Sequence, residues 1–332
     1  MNDLRIGIMN VAHLHADNYV GNLRAIPGVT LIGIADEDDA QRGQEFAARF
    51  NTRLYPDYAD LLADADAVVV CSENTRHRPL VEMAAAAGVH VLCEKPLATT
   101  QEDAQAMIDA CDRAGVVLMT AFPMRFSTPL AEVKAALDAG AVGALRAFNT
   151  ANQGQMPSHH RAWFVDKALA GGGAAMDHIV HLADILRWYL GSEVTEVYAQ
   201  MNRILHGDEV EVETGGLVML TFANGVFASI DCSWSRPRFF PTWGGLTMEI
   251  VGDGGVILTD PFRQNLTLHG SPARHMAWAY WGSDANQAMI DEFVAAVRDR
   301  RPPAVTGLDG LRATQIVLAA YRSAELGVPV KL

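Results

Sequence analysis

The chain has 332 residues, half of them apolar, and its 39 acidic residues outnumber its 26 basic ones to give a formal net charge of −13. This length predicts about two domains, each with a substantial hydrophobic core. The acidic balance argues against nucleic acid or an anionic membrane as partner, because both recruit basic surfaces. A small-molecule partner stays open, since one basic group in a pocket is enough to bind it.

The cysteines and the N-terminus indicate a cytoplasmic protein. The four cysteines are scattered and form no CxxC pair, so we expect no disulfide framework and a reducing compartment. The first residues show no basic stretch followed by an apolar one, as a signal peptide would. No run of about 18 apolar residues is present, so a membrane span is not expected.

Strand and helix patterns alternate through residues 1–121. Short apolar runs predict buried strands, and amphipathic or alanine-rich stretches predict the helices between them. The predicted strands are 4–9, 29–35, 53–55, 67–71, 89–93 and 116–121, and the predicted helices are about 16–26, 37–50, 57–63, 78–87 and 101–114. This βαβ series is typical of a doubly wound parallel sheet.

Pro123 and Pro129 mark a change of pattern, and residues 122–332 are predicted to form a second domain. From Ala144 onward the strands look longer and alternate apolar with polar residues. The dipeptides Asn224-Gly225 and Asp253-Gly254 are typical hairpin turns, so a mainly antiparallel sheet is expected. Helices are predicted at about 174–190, 284–300 and 308–325, and the last is predicted to pack back on the first domain.

The turn after the first strand is the first candidate cofactor site. It carries Asn10, Val11 and Ala12 in place of a glycine-rich loop, and an ordinary strand–helix turn remains an alternative. Asp36 ends the second strand, where a carboxylate can accept hydrogen bonds from the adenosine ribose hydroxyls. Such a carboxylate would repel the extra phosphate of NADP, so NAD is favoured. The alternative for Asp36 is a helix N-cap.

Two further polar segments follow the later strands. Ser72-Glu73-Asn74 with His77 follows one strand, and Glu94-Lys95-Pro96 follows the next. Carboxyl ends of parallel strands meet at one edge, so both segments are expected to face the same crevice. The alternative for Lys95 is a solvated loop lysine. His13 and His15 either line this crevice or lie exposed in their loop.

These motifs, followed by Gly171–Gly173, Asp177 and His181, resemble the glucose–fructose oxidoreductase, inositol dehydrogenase and rhizopine catabolism (Gfo/Idh/MocA) family along essentially the whole chain. The resemblance implies an NAD(P)-binding Rossmann domain and a C-terminal α+β domain with a large open, mainly antiparallel sheet. It also implies hydride exchange between nicotinamide and a secondary alcohol of a sugar, polyol or sugar acid. Homodimers or homotetramers through the open sheet are implied as well.

The resemblance also assigns roles to residues of this chain. It makes Lys95, Asp177 and His181 catalytic, with His181 as the acid/base. On chemical grounds too, an imidazole suits proton transfer and a lysine ammonium suits developing alkoxide charge. The expected cofactor contacts are Asn10, Val11, Ala12, Asp36, Ser72, Glu73, Asn74, His77, Glu94 and Lys95. Asn10 and Ala12 replace the family's usual glycines, which indicates a divergent branch.

Substrate contacts are expected from polar and aromatic residues of the second domain. The candidates are Asn152, Arg161, Trp163, His178 and Arg236. Tryptophan stacks on sugar faces, whereas arginine and asparagine bind hydroxyls or a carboxylate, so a small polyhydroxylated ligand is expected. The same side chains are equally suited to a core or an oligomer interface.

Alternatives to a dehydrogenase and to a metal-free site stay open at this point. Asp177, His178 and His181, with His159 and His160 upstream, are residue types that bind zinc, but no metal is predicted. The same site also suits an epimerase, lyase or hydrolase that retains NAD and oxidises its substrate only transiently. A third alternative is a non-catalytic protein that senses NAD or a sugar and regulates a partner.

Overall fold

A computed structural model of the chain describes residues 3–263, 265–270, 275–280 and 282–332. Residues 1–123, 158–171 and 286–314 form one compact unit, and residues 124–157, 172–285 and 315–332 form a second. The single boundary at residue 121 stays a prediction, and so does the packing of the last helix on the first domain. Within the described residues, no helix is both long and apolar enough to cross a membrane.

The first unit is built around a five-stranded parallel sheet in the order β2-β1-β3-β4-β5. Its strands are β1 (Leu4–Met9), β2 (Val29–Ala35), β3 (Ala67–Val70), β4 (His90–Cys93) and β5 (Leu118–Thr120). Its helices before residue 123 are α1 (Ala16–Arg24), α2 (Ala40–Phe50), α3 (Tyr58–Asp64), α4 (His77–Ala86) and α5 (Gln101–Ala114). The predicted doubly wound parallel sheet is confirmed.

The predicted strand at 53–55 is wrong. Leu54 forms only an isolated parallel bridge with Ile34, held by hydrogen bonds from Ile34 N to Arg53 O and from Tyr55 N to Ile34 O. Asp57 then caps helix α3, which begins at Tyr58, so the extended segment ends soon after this bridge.

The second unit is built around a seven-stranded mixed sheet in the order β11-β10-β6-β9-β8-β7-β14. The remaining strands of the chain are β6 (Leu145–Asn152), β7 (Val194–Asn202), β8 (Gly215–Phe222), β9 (Phe227–Asp231), β10 (Leu246–Gly252), β11 (Gly255–Thr259), β12 (Asn265–Gly270), β13 (His275–Tyr280) and β14 (Val330–Lys331). The remaining helices are α6 (Thr128–Asp138), α7 (Lys167–Ala170), α8 (Ala174–Leu190), α9 (Ala285–Asp299) and α10 (Gly307–Leu326).

The mainly antiparallel character of this sheet and both predicted hairpins are confirmed. Antiparallel pairs join β8 to β9 and β10 to β11, whereas β6 and β9 pair in parallel. Helix α6 begins at Thr128, so Pro129, one of the two prolines that mark the change of pattern, lies in its first turn. Proline is tolerated in the first helical turn, because its missing N–H would have no partner there.

Candidate active site

The carboxyl edge of the parallel sheet gathers the predicted cofactor residues. Strand β1 has β2 on one side and β3 on the other, so the order of the chain reverses between β1 and β3. Open α/β sheets bind ligands at such a switch point. Asn10 follows β1, Ser72 comes shortly after β3, and both are buried. Lys95 follows β4 at the same edge and is only 3% exposed.

Asn10 makes the turn after β1 with a left-handed backbone, at φ +65°. Asparagine adopts this conformation more readily than most other non-glycine residues. Its Oδ1 accepts a hydrogen bond from Ala12 N at 2.8 Å, and its Nδ2 donates to Asp38 Oδ2 at 2.8 Å. The asparagine therefore supplies the turn that glycine usually supplies, and its side chain fixes the loop.

The loop after β1 directs three consecutive N–H groups to acceptors of the protein. Besides Ala12 N, Val11 N lies 3.4 Å from Asp36 Oδ2, and His13 N donates to Cys71 O at 2.8 Å. A bound phosphate would have to share or displace the Asn10 and Asp36 acceptors to reach the first two N–H groups. These hydrogen bonds give a structural reason why this loop differs from a glycine-rich phosphate loop.

Asp36 is held by a guanidinium that the sequence analysis did not single out. The side chain of Asp36 is fully buried, and Arg42 approaches it with Nε at 2.7 Å from Oδ2 and Nη2 at 2.9 Å from Oδ1. Asp39 caps α2 by accepting from Arg42 N, which fixes Arg42 in the first helical turn. The N-cap role, which was the alternative for Asp36, therefore belongs to Asp39.

The segment after β3 ties neighbouring parts of the first unit together. Asn74 Nδ2 donates to Ala170 O at 2.9 Å. The buried ring of His77 has Nδ1 3.0 Å from Pro96 O and Nε2 3.3 Å from Ser72 O. His77 thus links the two polar loops, and its direct contact with a cofactor stays a prediction.

Glu94 lies in a buried network with His13, His15 and Tyr19. Its Oε1 accepts from Tyr19 Oη at 2.5 Å and from His15 Nδ1 at 3.0 Å, and its Oε2 accepts from Lys95 N at 3.1 Å. Burial raises the pKa of Glu94, but the two imidazoles and the hydrogen bonds from His15 and Tyr19 outweigh it and hold the pKa well below its usual range. The network therefore keeps Glu94 ionised and anchors the backbone at Lys95.

His13, His15 and Glu94 also bring metal-ligating atoms within 4.8 Å of one another. His15 N donates to His13 Nδ1 at 3.2 Å, so this lone pair already serves a hydrogen bond. Together with the hydrogen bond between His15 Nδ1 and Glu94 Oε1, this joins the three side chains in one network. Among the described residues, the histidines weighed for zinc in the sequence analysis do not belong to this group.

Arg161 and Trp163, predicted as substrate contacts, lie in the first unit. Both donate to the carbonyl of Ala12, from Arg161 Nε at 3.2 Å and from Trp163 Nε1 at 3.1 Å. The indole also stacks on Phe164, with ring centroids 4.0 Å apart. These two residues therefore buttress the loop after β1, and their contact with substrate stays a prediction.

Helix α8 of the second unit carries Asp177, His178 and His181. The ring of His178 has Nδ1 3.1 Å from Cys232 O, so Nδ1 is the donor, and its Nε2 lies 3.3 Å from Asp177 Oδ2. Asp177 and His178 are buried, whereas His181 is partly exposed. Four residues separate Asp177 from His181, which places them on one helix face.

The first turn of α8 is fixed by side chains from distant parts of the second unit. Glu213 Oε1 accepts from Gly173 N at 2.8 Å, from Ala175 N at 3.0 Å and from Tyr321 Oη at 2.6 Å. A side chain at Gly173 would have no room, because a Cβ there would lie 2.1 Å from Glu213 O. The glycine run and Glu213 together set where α8 begins, and hence where Asp177 lies.

The other two predicted substrate residues make contacts within the second unit. Asn152 Nδ2 donates to His178 O at 3.1 Å and so joins the end of β6 to α8. The guanidinium of Arg236 packs over the Phe240 ring at 4.1 Å and lies 3.3 Å from Thr242 Oγ1. Substrate binding by either residue stays a prediction.

Comparison with known proteins decides the family. The model of the oxidoreductase family with an NAD-binding Rossmann fold matches residues 4–122, and the GFO/IDH/MocA C-terminal domain matches residues 130–258. The chain belongs to the GFO/IDH/MocA oxidoreductase family. The resemblance stated from the sequence is confirmed, and with it the expectation of an NAD(P)-dependent oxidoreductase acting on CH–OH groups.

Individual relatives of this GFO/IDH/MocA protein match along nearly its whole length. Myo-inositol 2-dehydrogenase of Thermotoga maritima is 30% identical, covering 98% of this chain and 97% of the relative. D-apiose dehydrogenase of Paraburkholderia graminis is 30% identical, covering 98% of this chain and 88% of the relative. The crystal structure of GenD2 from gentamicin A biosynthesis, in complex with NAD, has a TM-score of 0.90 and 26% identity, covering 100% of this chain and 97% of that one.

The residues at the carboxyl edge fit a nicotinamide dinucleotide. The left-handed turn at Asn10 stands at the switch point, and the buried Asp36 ends the neighbouring strand, where an adenosine ribose is expected. The hydrogen bonds that Val11 N and Ala12 N make to side chains show that the loop has donors of the kind a phosphate needs. The contact of this loop with a cofactor stays a prediction.

Proposed function

We propose that this GFO/IDH/MocA protein transfers a hydride between NAD and a secondary alcohol of a sugar, polyol or sugar acid. The observation that carries the proposal is the buried Lys95 at the carboxyl edge, anchored through its own N–H by Glu94. A lysine ammonium at the edge where the nicotinamide is expected to bind is suited to stabilising a developing alkoxide. Relatives named as inositol and apiose dehydrogenases support this substrate class.

Three side chains share the chemistry in this proposal. Bound nicotinamide supplies the hydride acceptor or donor. His181 moves the proton of the reacting hydroxyl, and Lys95 stabilises negative charge on its oxygen. Asp177, whose Oδ2 lies 3.3 Å from His178 Nε2, binds a neighbouring hydroxyl or orients the imidazole of His181. Asn152, Arg161, Trp163, His178 and Arg236 stay candidates for recognising the substrate.

NAD is proposed as the preferred cofactor, in the reducing cytoplasm that the sequence predicts. The buried carboxylate of Asp36 supports NAD, because it would face the ribose and disfavour a phosphate there. One family relative is nevertheless named as NADP-dependent, a D-xylose 1-dehydrogenase of Haloferax volcanii. All four cysteines are free and buried, as expected for a reducing compartment.

A substrate panel tests the function directly. With inositols, pentoses and sugar acids as substrates and NAD in excess, we expect at least one compound to give steady formation of reduced nicotinamide, followed by its absorbance. Formation of a rearranged product with no net absorbance change would instead indicate the cofactor-retaining epimerase, lyase or hydrolase. Absence of both products, together with failure to bind NADH, would contradict an enzymatic role.

The open face of the seven-stranded sheet is the proposed homo-oligomer interface. The strand registers place exposed apolar residues of β8, β9 and β11 on one face, and in β8 and β9 these alternate with residues buried on the other. They are Leu217, Met219, Phe227, Val256 and Leu258, from 43% to 76% exposed. Large exposed apolar patches on a protein surface mark interaction sites.

Charges on this face are expected to dissociate the oligomer. The double substitution Leu217→Glu and Leu258→Glu should give a monomer in size-exclusion chromatography with light scattering, because a second sheet cannot desolvate the two carboxylates. Ile204→Glu is the matched control, since Ile204 is 85% exposed but lies outside the sheet. If the double variant keeps the mass of the wild-type oligomer, the interface lies on another surface.

A further inference from the structure

Arg42 occupies the acceptor atoms that a ribose would need. Asp36 Oδ1 accepts from Arg42 Nη2 at 2.9 Å and from Asp39 N at 3.3 Å, and Oδ2 accepts from Arg42 Nε at 2.7 Å and from Val11 N at 3.4 Å. A carboxylate has about four lone-pair sites. All of them are engaged, so ribose hydroxyls can bind Asp36 only when the Arg42 guanidinium withdraws.

The same guanidinium joins three of the predicted cofactor loops. Besides Asp36 after β2, Arg42 contacts Asn10 Oδ1 after β1 at 3.1 Å and Glu73 Oε1 after β3 at 3.5 Å. Its side chain is 24% exposed, so it lies at the rim of this edge rather than deep in the core. A long side chain at a rim can turn away from its partners without opening a cavity.

The charge around Asp36 is far from that of an isolated carboxylate. Arg76 pairs with Asp38 at 2.8 Å and lies 3.8 Å from Glu73, so two arginines face the carboxylates of Asp36, Asp38 and Glu73. Burial lowers the pKa of Arg42, but the hydrogen bonds and charges of Asp36 and Glu73 outweigh it, and the pKa is raised. Arg42 is therefore fully charged, and it offsets much of the repulsion that Asp36 would exert on a phosphate.

We infer that Arg42 is a specificity-determining residue that lets this enzyme accept a 2′-phosphorylated adenosine as well as an unmodified one. This inference rests on the proposed binding of a nicotinamide dinucleotide. In it, the Arg42 guanidinium takes one of two positions at the same site. With an unmodified ribose the guanidinium withdraws and Asp36 accepts the hydroxyls. With a 2′-phosphate the guanidinium turns from Asp36 to the phosphate, which an arginine fork binds strongly.

Adenosine fragments isolate this subsite from the rest of the reaction. Calorimetric titration at one ionic strength compares 5′-AMP with adenosine 2′,5′-bisphosphate for the wild type, Arg42→Ala and Asp36→Asn. Arg42→Ala should weaken bisphosphate binding by about 10–100-fold, the range for a charged hydrogen-bonded contact, with little loss or a gain for 5′-AMP. Asp36→Asn should shift the ratio the opposite way. Arg49→Ala is the matched control, because Arg49 lies on α2 and pairs with Asp17 instead.

The outcomes separate this inference from the proposed function. An unchanged ratio of the two affinities in Arg42→Ala would overturn the role of Arg42, even if both fragments bind. An equal loss of both fragments would overturn it too, since Arg42 would then only orient Asp36. Failure of the wild type to bind either fragment or NADH would instead contradict the cofactor site itself.

Discussion

Replacing Lys95 with methionine is expected to lower kcat by about 10²–10³-fold, the loss typical of removing one donor to a developing oxyanion. Methionine keeps much of the length of the buried side chain but removes its charge. NADH affinity, followed by the quenching of protein fluorescence, should change far less than kcat. The measurement is the rate of nicotinamide reduction with the best substrate of the panel, at saturating concentrations of both ligands.

Lys167→Met is the control for the loss of a lysine charge. Lys167 belongs to the same compact unit but is exposed on α7, so its removal should leave kcat unchanged. A Lys95→Met enzyme that retains kcat within a few-fold of the wild type would show that the ammonium does not act on the reacting oxygen.

Replacing His181 with asparagine is expected to remove most proton transfer and with it the pH dependence of alcohol oxidation. General-base catalysis contributes about 10²–10⁴-fold, so kcat should fall by that amount. A neutral imidazole is the competent base, so the wild-type rate should rise with pH as the histidine loses its proton. The asparagine enzyme should lose this limb of the kcat profile.

His206→Asn serves as the matched control for His181. His206 lies in the same compact unit but outside helix α8, and it hydrogen-bonds Glu209 at 3.1 Å. Its backbone is left-handed at φ +56°, which asparagine tolerates. A His181→Asn profile that keeps the wild-type limb would assign the proton transfer to another group.

The regular elements and the edge residues were predictable because they depend on local patterns. The apolar run at 67–70 and the turn at Asn224-Gly225 each have a sequence signal within a few residues. The strand-end positions of Asp36 and Lys95 followed from the βαβ order alone. The left-handed backbone at Asn10 agrees with its residue type, because asparagine tolerates this conformation better than most residues.

The remaining site features were not predictable because they depend on contacts between residues far apart in the chain. Arg161 and Trp163 contact Ala12 about 150 positions away, and no periodicity records such a pairing. Glu213 reaches the start of α8 for the same reason. Arg42 had a weak local signal, a basic residue in the first turn after the ribose-binding acid. Its hydrogen bonds to Asn10 and Glu73 could be identified only from the structure.

The composition of the first unit limits how cofactor preference can be exchanged between relatives. The chain enters this unit three times, and the second entry, residues 158–171, brings the two donors that hold the Ala12 carbonyl. A chimaera that takes only residues 1–121 from a relative would combine the relative's loop after β1 with the Arg161 and Trp163 donors of this chain. A chimaera designed to change cofactor preference should therefore exchange both stretches together, or replace single residues around Asp36.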